Sequence, residues 1–266
     1  MGFFDDLAAR IDSTDSVVCV GLDPDRDRLP EDVREKELPR WAFNRRIIDA
    51  THEHAACYKP NAAFYEDSKG WRSLRETVEY AHGKGVPVIV DAKRGDIGNT
   101  ARQYADVLDY ADAITVNPYL GRDSLQPFLS QEDAGVFVLC RTSNPGGKDF
   151  QNLELAGFDE YLYEHVARRA SEWNENDNVG LVVGATSTDE LERVRDTVPD
   201  LPFLVPGVGA QGGDAEAAVE FGLTGDGVGL VNSTRGIIFA GEGSEEWAAA
   251  AGQAAKRLKD RLNKYR

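Results

Sequence analysis

Eight short apolar runs rich in β-branched residues recur along this chain, at 17–21, 55–59, 87–92, 113–117, 136–141, 179–184, 202–206 and 227–231. Longer stretches such as 71–84, 158–173 and 213–221 lie between them, with Ala, Leu, Glu and Arg dominant and apolar residues three and four apart, the period of an amphipathic helix. The runs are almost continuously apolar rather than alternating, so each strand is expected to be buried on both faces, as in a parallel sheet covered by helices. Eight such units predict a single (β/α)8 TIM barrel over residues 1–266, with an extra N-terminal helix at 3–11 closing the bottom and 245–264 as the last outer helix. A doubly wound open sheet is the second reading, because a strand count from one sequence shifts by one or two. The length fits a barrel, which commonly needs about 250 residues, and no Pro/Gly linker or change of composition marks a second domain.

Charge narrows the partners. With 46 Asp and Glu against 30 Lys and Arg, the formal net charge is −16, which repels nucleic acid and anionic membranes. Most of the cations are arginine. Such an acidic surface points to adaptation to high salt, where a Debye length of about 3 Å at 1 M screens the self-repulsion. Cys19, Cys57 and Cys140 are far apart in apolar stretches and read as reduced core residues, without a CxxC pair for zinc or redox chemistry. His52 and His54 are two apart, the wrong spacing for one helical face, so no metal site is expected. The N-terminus has neither a basic n-region nor a myristoylation signal, and no apolar run reaches the roughly 18 residues that span a bilayer. The expected location is cytoplasmic.

A barrel carries its active site at the C-terminal ends of its strands, and the polar residues of this sequence gather there. The third run exits into Asp91-Ala92-Lys93-Arg94-Gly95-Asp96. Alternation along a strand sends Asp91 and Lys93 the same way and Arg94 elsewhere, while Asp96 falls in the following turn. A lysine between carboxylates is favoured in its charged form and is placed to deliver a proton. A surface ion-pair ladder, contributing about 0–1 kcal/mol per pair, is the plainer alternative. The first run exits into Leu22-Asp23-Pro24, the second into Lys59-Pro60-Asn61 and the fifth into Thr142-Ser143-Asn144-Pro145-Gly146-Gly147, a loop whose backbone can approach a ligand.

After the seventh run comes Pro206-Gly207-Val208-Gly209-Ala210-Gln211-Gly212-Gly213-Asp214. It contains G-x-G-x-x-G, but Asp226 opens the next strand instead of closing one, so a dinucleotide fold is disfavoured. A phosphate cradle fits better, since barrels often hold phosphate between the loops after strands seven and eight. Thr234-Arg235-Gly236 supplies the second half, and an arginine can grip phosphate through two parallel hydrogen bonds. Glycines serving tight turns and a surface arginine remain the structural alternative.

Asp91-x-Lys93-x-x-Asp96, the run Tyr58-Lys59-Pro60-Asn61-Ala62-Ala63-Phe64, the 206–214 loop and Thr234-Arg235-Gly236 together resemble the orotidine 5′-phosphate decarboxylases, and in their longer forms the type 2 subfamily. The resemblance runs from the first strand to the eighth. It implies decarboxylation of orotidine 5′-phosphate to UMP, the last step of de novo pyrimidine synthesis, without metal or organic cofactor. Lys93 would protonate pyrimidine C6, Asp91 would face the departing carboxylate, and Lys59 would hold Asp91 and a ribose hydroxyl. Asp23 and Asn61 would belong to the substrate-binding set, Asp23 accepting from ribose hydroxyls. Asp96, with Ile97 and Thr100, would reach into a neighbouring subunit's site, making a homodimer. Ser143 would meet the pyrimidine edge, Gln211 would bridge base and phosphate, Arg235 with backbone amides near Thr234 and Gly209 would bind the phosphate, and Pro206 would belong to the substrate-binding set.

Two rivals stand beside this reading. One is a metal-dependent sugar-phosphate decarboxylase or aldolase, which shares the Asp-x-Lys-x-x-Asp core but would use its acids to hold magnesium. The other is a non-catalytic nucleotide-binding barrel, for which two lysines among carboxylates would be a costly arrangement without purpose.

Overall fold

A computed structural model describes residues 2–184, 187–208 and 214–266. Its main sheet contains β1 (Val18–Gly21), β2 (Cys57–Lys59), β3 (Ile89–Arg94), β4 (Ala113–Val116), β5 (Gly135–Arg141), β6 (Val179–Val183), β7 (Phe203–Pro206) and β8 (Leu230–Ser233), all parallel. Their spatial order is β2-β1-β8-β7-β6-β5-β4-β3. Bridges from Tyr58 to Val88 and from Asn61 to Asp91 join the two ends. The eight expected runs are therefore the eight strands of a closed barrel, and the open-sheet reading falls away.

Register explains why the site is where it is. Paired residues of a parallel ladder share a face, and the face alternates every residue. Cys19 pairs with Cys57, Ile89 with Ala113, and Leu204 with Leu230, so these residues share the interior. Two residues further along four of the strands, the same face carries Lys59, Asp91, Thr115 and Asn232. The interior thus changes from apolar to polar within one step of the pleat, just below the mouth.

The helix Phe3–Thr14 buries Phe3, Leu7 and Ile11, one per turn. Phe3 lies edge-on to the inward-facing Phe137, ring centroids 5.9 Å apart, and its backbone N–H donates to the Asp133 carbonyl. The bottom is plugged as expected. Elsewhere the boundaries shift. The eighth strand begins at Leu230, three residues later than predicted, because Gly227 and Gly229 adopt positive φ in a turn closed by Thr224 N–H on the Val228 carbonyl. The predicted helix at 158–173 starts at Leu162, since Glu160–Tyr161 pairs antiparallel with Glu154–Leu155 in a small hairpin. No described helix is long and apolar enough to cross a membrane.

Candidate active site

Asp91 is the hub of the polar layer. Its carboxylate receives Lys59 Nζ at 2.9 Å on Oδ2, and on Oδ1 both Lys93 Nζ at 2.5 Å and the Thr115 hydroxyl at 2.8 Å. Burial would by itself raise the Asp91 pKa, but the two ammonium groups outweigh it and hold the carboxylate well below its usual range. For Lys59 burial pushes the other way, and Asp91 followed by Asp23 more than compensates, so the ammonium is held above the usual lysine value. The two lysines differ in access. The Lys59 side chain is 6% exposed and that of Lys93 45%.

Asp91 and Lys93 do converge, by a route that pleat alternation does not describe. Between Val90 and Arg94 the β3 strand loses register with β4, which advances from Ile114 to Val116 over the same interval. The extra residues bulge out of the ladder, and Lys93 takes a left-handed backbone, φ 49°. Its N–H is caught by the Thr115 hydroxyl at 2.9 Å. Arg94 turns away to Glu66 and lies over the Tyr104 ring.

Beside the array lies a cavity of about 390 Å³, within the range for small-molecule sites. Asp23, Ser143, Pro206, Thr234 and Arg235 line it. The Asp23 loop is fixed from behind, where the Tyr65 hydroxyl donates to the Leu22 carbonyl and accepts from Asn44. Asp23 Oδ1 accepts the Asn61 backbone N–H at 3.2 Å, while the Asn61 side chain turns to Ala63 N–H. Burial raises the Asp23 pKa, partly offset by Lys59.

Ser143 sits in the loop after β5 and packs against Gly184, where a Cβ would come within 2.9 Å of it. That loop is tied down by Arg141, whose Nη2 donates to Glu190 Oε1 at 3.1 Å, and by Gln151, which accepts the Thr142 N–H. Gly209 and Gln211 lie outside the described residues. Asp96 does not join Asp91 and Lys93 in its own chain; its carboxylate accepts only the Ile97 N–H among the described contacts. Ile97 and Thr100 are exposed beside it.

Sequence reasoning missed four residues of this region. Thr115 is the lone polar side chain of β4, a signal that alternation alone could have supplied. Asn232 lines the cavity and its buried Oδ1 has no partner among the described residues. Arg28 and Phe239 also line it, the guanidinium lying 3.8 Å above the ring centroid. Among the described residues no group of three or more His, Cys, Asp or Glu side chains could hold a metal ion. The cations on Asp91 oppose one there.

A family model described as orotidine 5′-phosphate decarboxylase / HUMPS matches residues 16–250. The chain belongs to this family. An orotidine 5′-phosphate decarboxylase of Halobacterium salinarum is 74% identical over all of both chains, and one of Dechloromonas aromatica is 48% identical over all of both. Among solved structures, the OMP decarboxylase of Leishmania donovani superposes with a TM-score of 0.84 at 45% identity, covering 100% of this chain and 98% of that one. Family membership covers the entire strand array, so the polar layer and the cavity lie within the matched region.

Proposed function

We propose that this protein decarboxylates orotidine 5′-phosphate to UMP and CO2, the last step of de novo pyrimidine synthesis. The observation that carries the reading is the Lys59–Asp91–Lys93 array, next to Asp23, which lines a cavity that Arg235 also lines. Arg235 and Thr234, with Gly209 and Gln211, hold the phosphate, and Pro206 and Ser143 face the base. Asp23, Asn61 and Lys59 take the ribose side. This fixes pyrimidine C6 near Lys93.

The C6–carboxylate bond then breaks, CO2 leaves neutral, and the electron pair stays on C6. The Lys93 ammonium stabilises that charge and donates its proton to C6, to be reprotonated from water at the exposed mouth. Asp91 faces the substrate carboxylate, and repulsion between the two is relieved as CO2 departs. The metal-dependent alternative is disfavoured because ammonium groups occupy both oxygens of Asp91.

Asp96, Ile97 and Thr100 serve a second copy of the chain, making a homodimer. Ile97 is 61% exposed and Tyr119 of the adjoining loop 85%, an apolar surface that a partner would cover. Three buried cysteines fit a reducing cytoplasm.

The test is the absorbance decay of orotidine 5′-phosphate with and without EDTA, for the natural chain and for Lys93→Ala. We expect EDTA-insensitive turnover and a loss of at least 10³-fold in the variant, on the order expected from combined proton transfer and charge stabilisation. Retained turnover in Lys93→Ala would remove the proton donor from the scheme. Mixing Lys93→Ala with Asp96→Ala should restore activity through mixed dimers, each with one intact site.

A further inference from the structure

Thr115 is buried at 1% exposure in the one strand of the barrel's β3–β5 side that the motifs leave unused. Its hydroxyl works in both directions at once, accepting the Lys93 backbone N–H at 2.9 Å and donating to Asp91 Oδ1 at 2.8 Å. A hydroxyl has one proton, so with Lys93 N–H filling a lone pair its own hydrogen is directed onto Asp91. That geometry has two consequences. It anchors Lys93 where the backbone leaves the ladder in a left-handed conformation, and it gives the Asp91 carboxylate a third donor.

We infer that Thr115 is a positioning residue of the decarboxylation, locking the Asp91 carboxylate and the Lys93 backbone together so that Asp91 cannot turn away from the substrate carboxylate. The inference rests on the reading given under Proposed function. Repulsion between two carboxylates accelerates carbon dioxide loss only if neither can swing aside when substrate binds. Lys59 and Lys93 cannot enforce this alone, because both hang on long stems with many rotamers and would follow a rotating carboxylate. A hydroxyl on Cβ of a β-branched residue in a strand has one stiff torsion. It is therefore the rigid member of the cluster, and it acts through Asp91 and Lys93 without touching substrate.

The lock makes a prediction opposite in sign to that for a merely structural residue. Releasing ground-state strain lowers kcat while leaving KM unchanged or lower. Thr115→Val preserves shape and removes the hydroxyl, and Thr115→Ser restores it. We expect kcat for Thr115→Val to fall roughly 10- to 100-fold, with KM for orotidine 5′-phosphate equal to or below that of the natural chain. The Kd for UMP, which lacks the carboxylate, should stay within about twofold, and Thr115→Ser, which restores the hydroxyl without the β-branch, should recover part of the turnover. A kcat within twofold of the natural chain in Thr115→Val would overturn the inference. So would a parallel loss of UMP affinity, the mark of a misfolded site, or a Thr115→Ser variant no better than Thr115→Val. Failure of the natural chain to release CO2 from orotidine 5′-phosphate would instead strike the underlying function, and the two failures are distinguishable in the first assay.

Discussion

At the level of single residues, the two lysines on Asp91 have unequal jobs. Lys59 is almost wholly buried, so replacing it by methionine leaves a desolvated carboxylate short of a counter-charge. Breaking a buried pair costs about 3–5 kcal/mol, and thermal melts of Lys59→Met should show a loss near the low end, since Lys93 and Thr115 remain. Lys93 is half exposed and holds a left-handed backbone that costs about 1–2 kcal/mol in a residue with a Cβ. Lys93→Gly should therefore be at least as stable as Lys93→Ala, both inactive. Asp23 carries the pH prediction. Its native pKa is raised by burial, so the folded chain binds more protons than the unfolded one between the two values, and stability falls as pH rises through that window. Asp23→Asn escapes the penalty. It should melt at a higher temperature at pH 7, lose that advantage below about pH 4, where the unfolded carboxyl is also protonated, and turn over less substrate. Asp91, depressed instead of raised, works in the opposite sense: its contribution is complete above the unfolded carboxylate value and is lost as pH falls toward the native one.

Among the elements, the strands were legible because burial on both faces leaves an unbroken apolar run, and their ends were less so because turns can be equally apolar. Val228 and Gly229 read as strand and are loop, two glycines with positive φ deciding the matter. The hairpin at Glu154–Leu155 and Glu160–Tyr161 was hidden because two-residue strands have no period to detect. The charged array was legible from Asp91, Lys93 and Lys59 at strand ends. Its precise shape was not, because the bulge at β3 depends on pairing with β4. Close approach is the other thing a sequence hides. A Cβ on Gly21 would lie 1.9 Å from Thr234 Oγ1, so the end of β1 abuts the end of β8. Gly21→Ala should displace Thr234 and Arg235 together, weakening UMP binding by at least tenfold in calorimetry while affinity for uridine, without phosphate, changes much less.

Across the whole molecule, a net charge of −16 opposes compaction at low ionic strength. Melting temperature should climb steeply between 0.1 and 2 M KCl, where the Debye length shrinks from about 10 Å to under 3 Å; a flat profile would mean that the acidic surface is not a salt adaptation. The Lys59–Asp91 pair, being buried, should be nearly indifferent to the same titration, so the salt effect should be as large in Lys59→Met as in the natural chain.

The seam between β1 and β8 also has a consequence for biosynthesis. Translation delivers Lys59, Asp91 and Lys93 within the first third or so of the chain, but β1 keeps a bare edge until Leu230–Ser233 arrives to pair with it. At about 5–20 residues per second, a nascent chain spends on the order of ten seconds with these three charges made and the proposed phosphate seat still to come. The last strand made is the one that closes the ring, so a ribosome that stalls before it leaves an unfinished cylinder without the proposed phosphate end at Thr234 and Arg235.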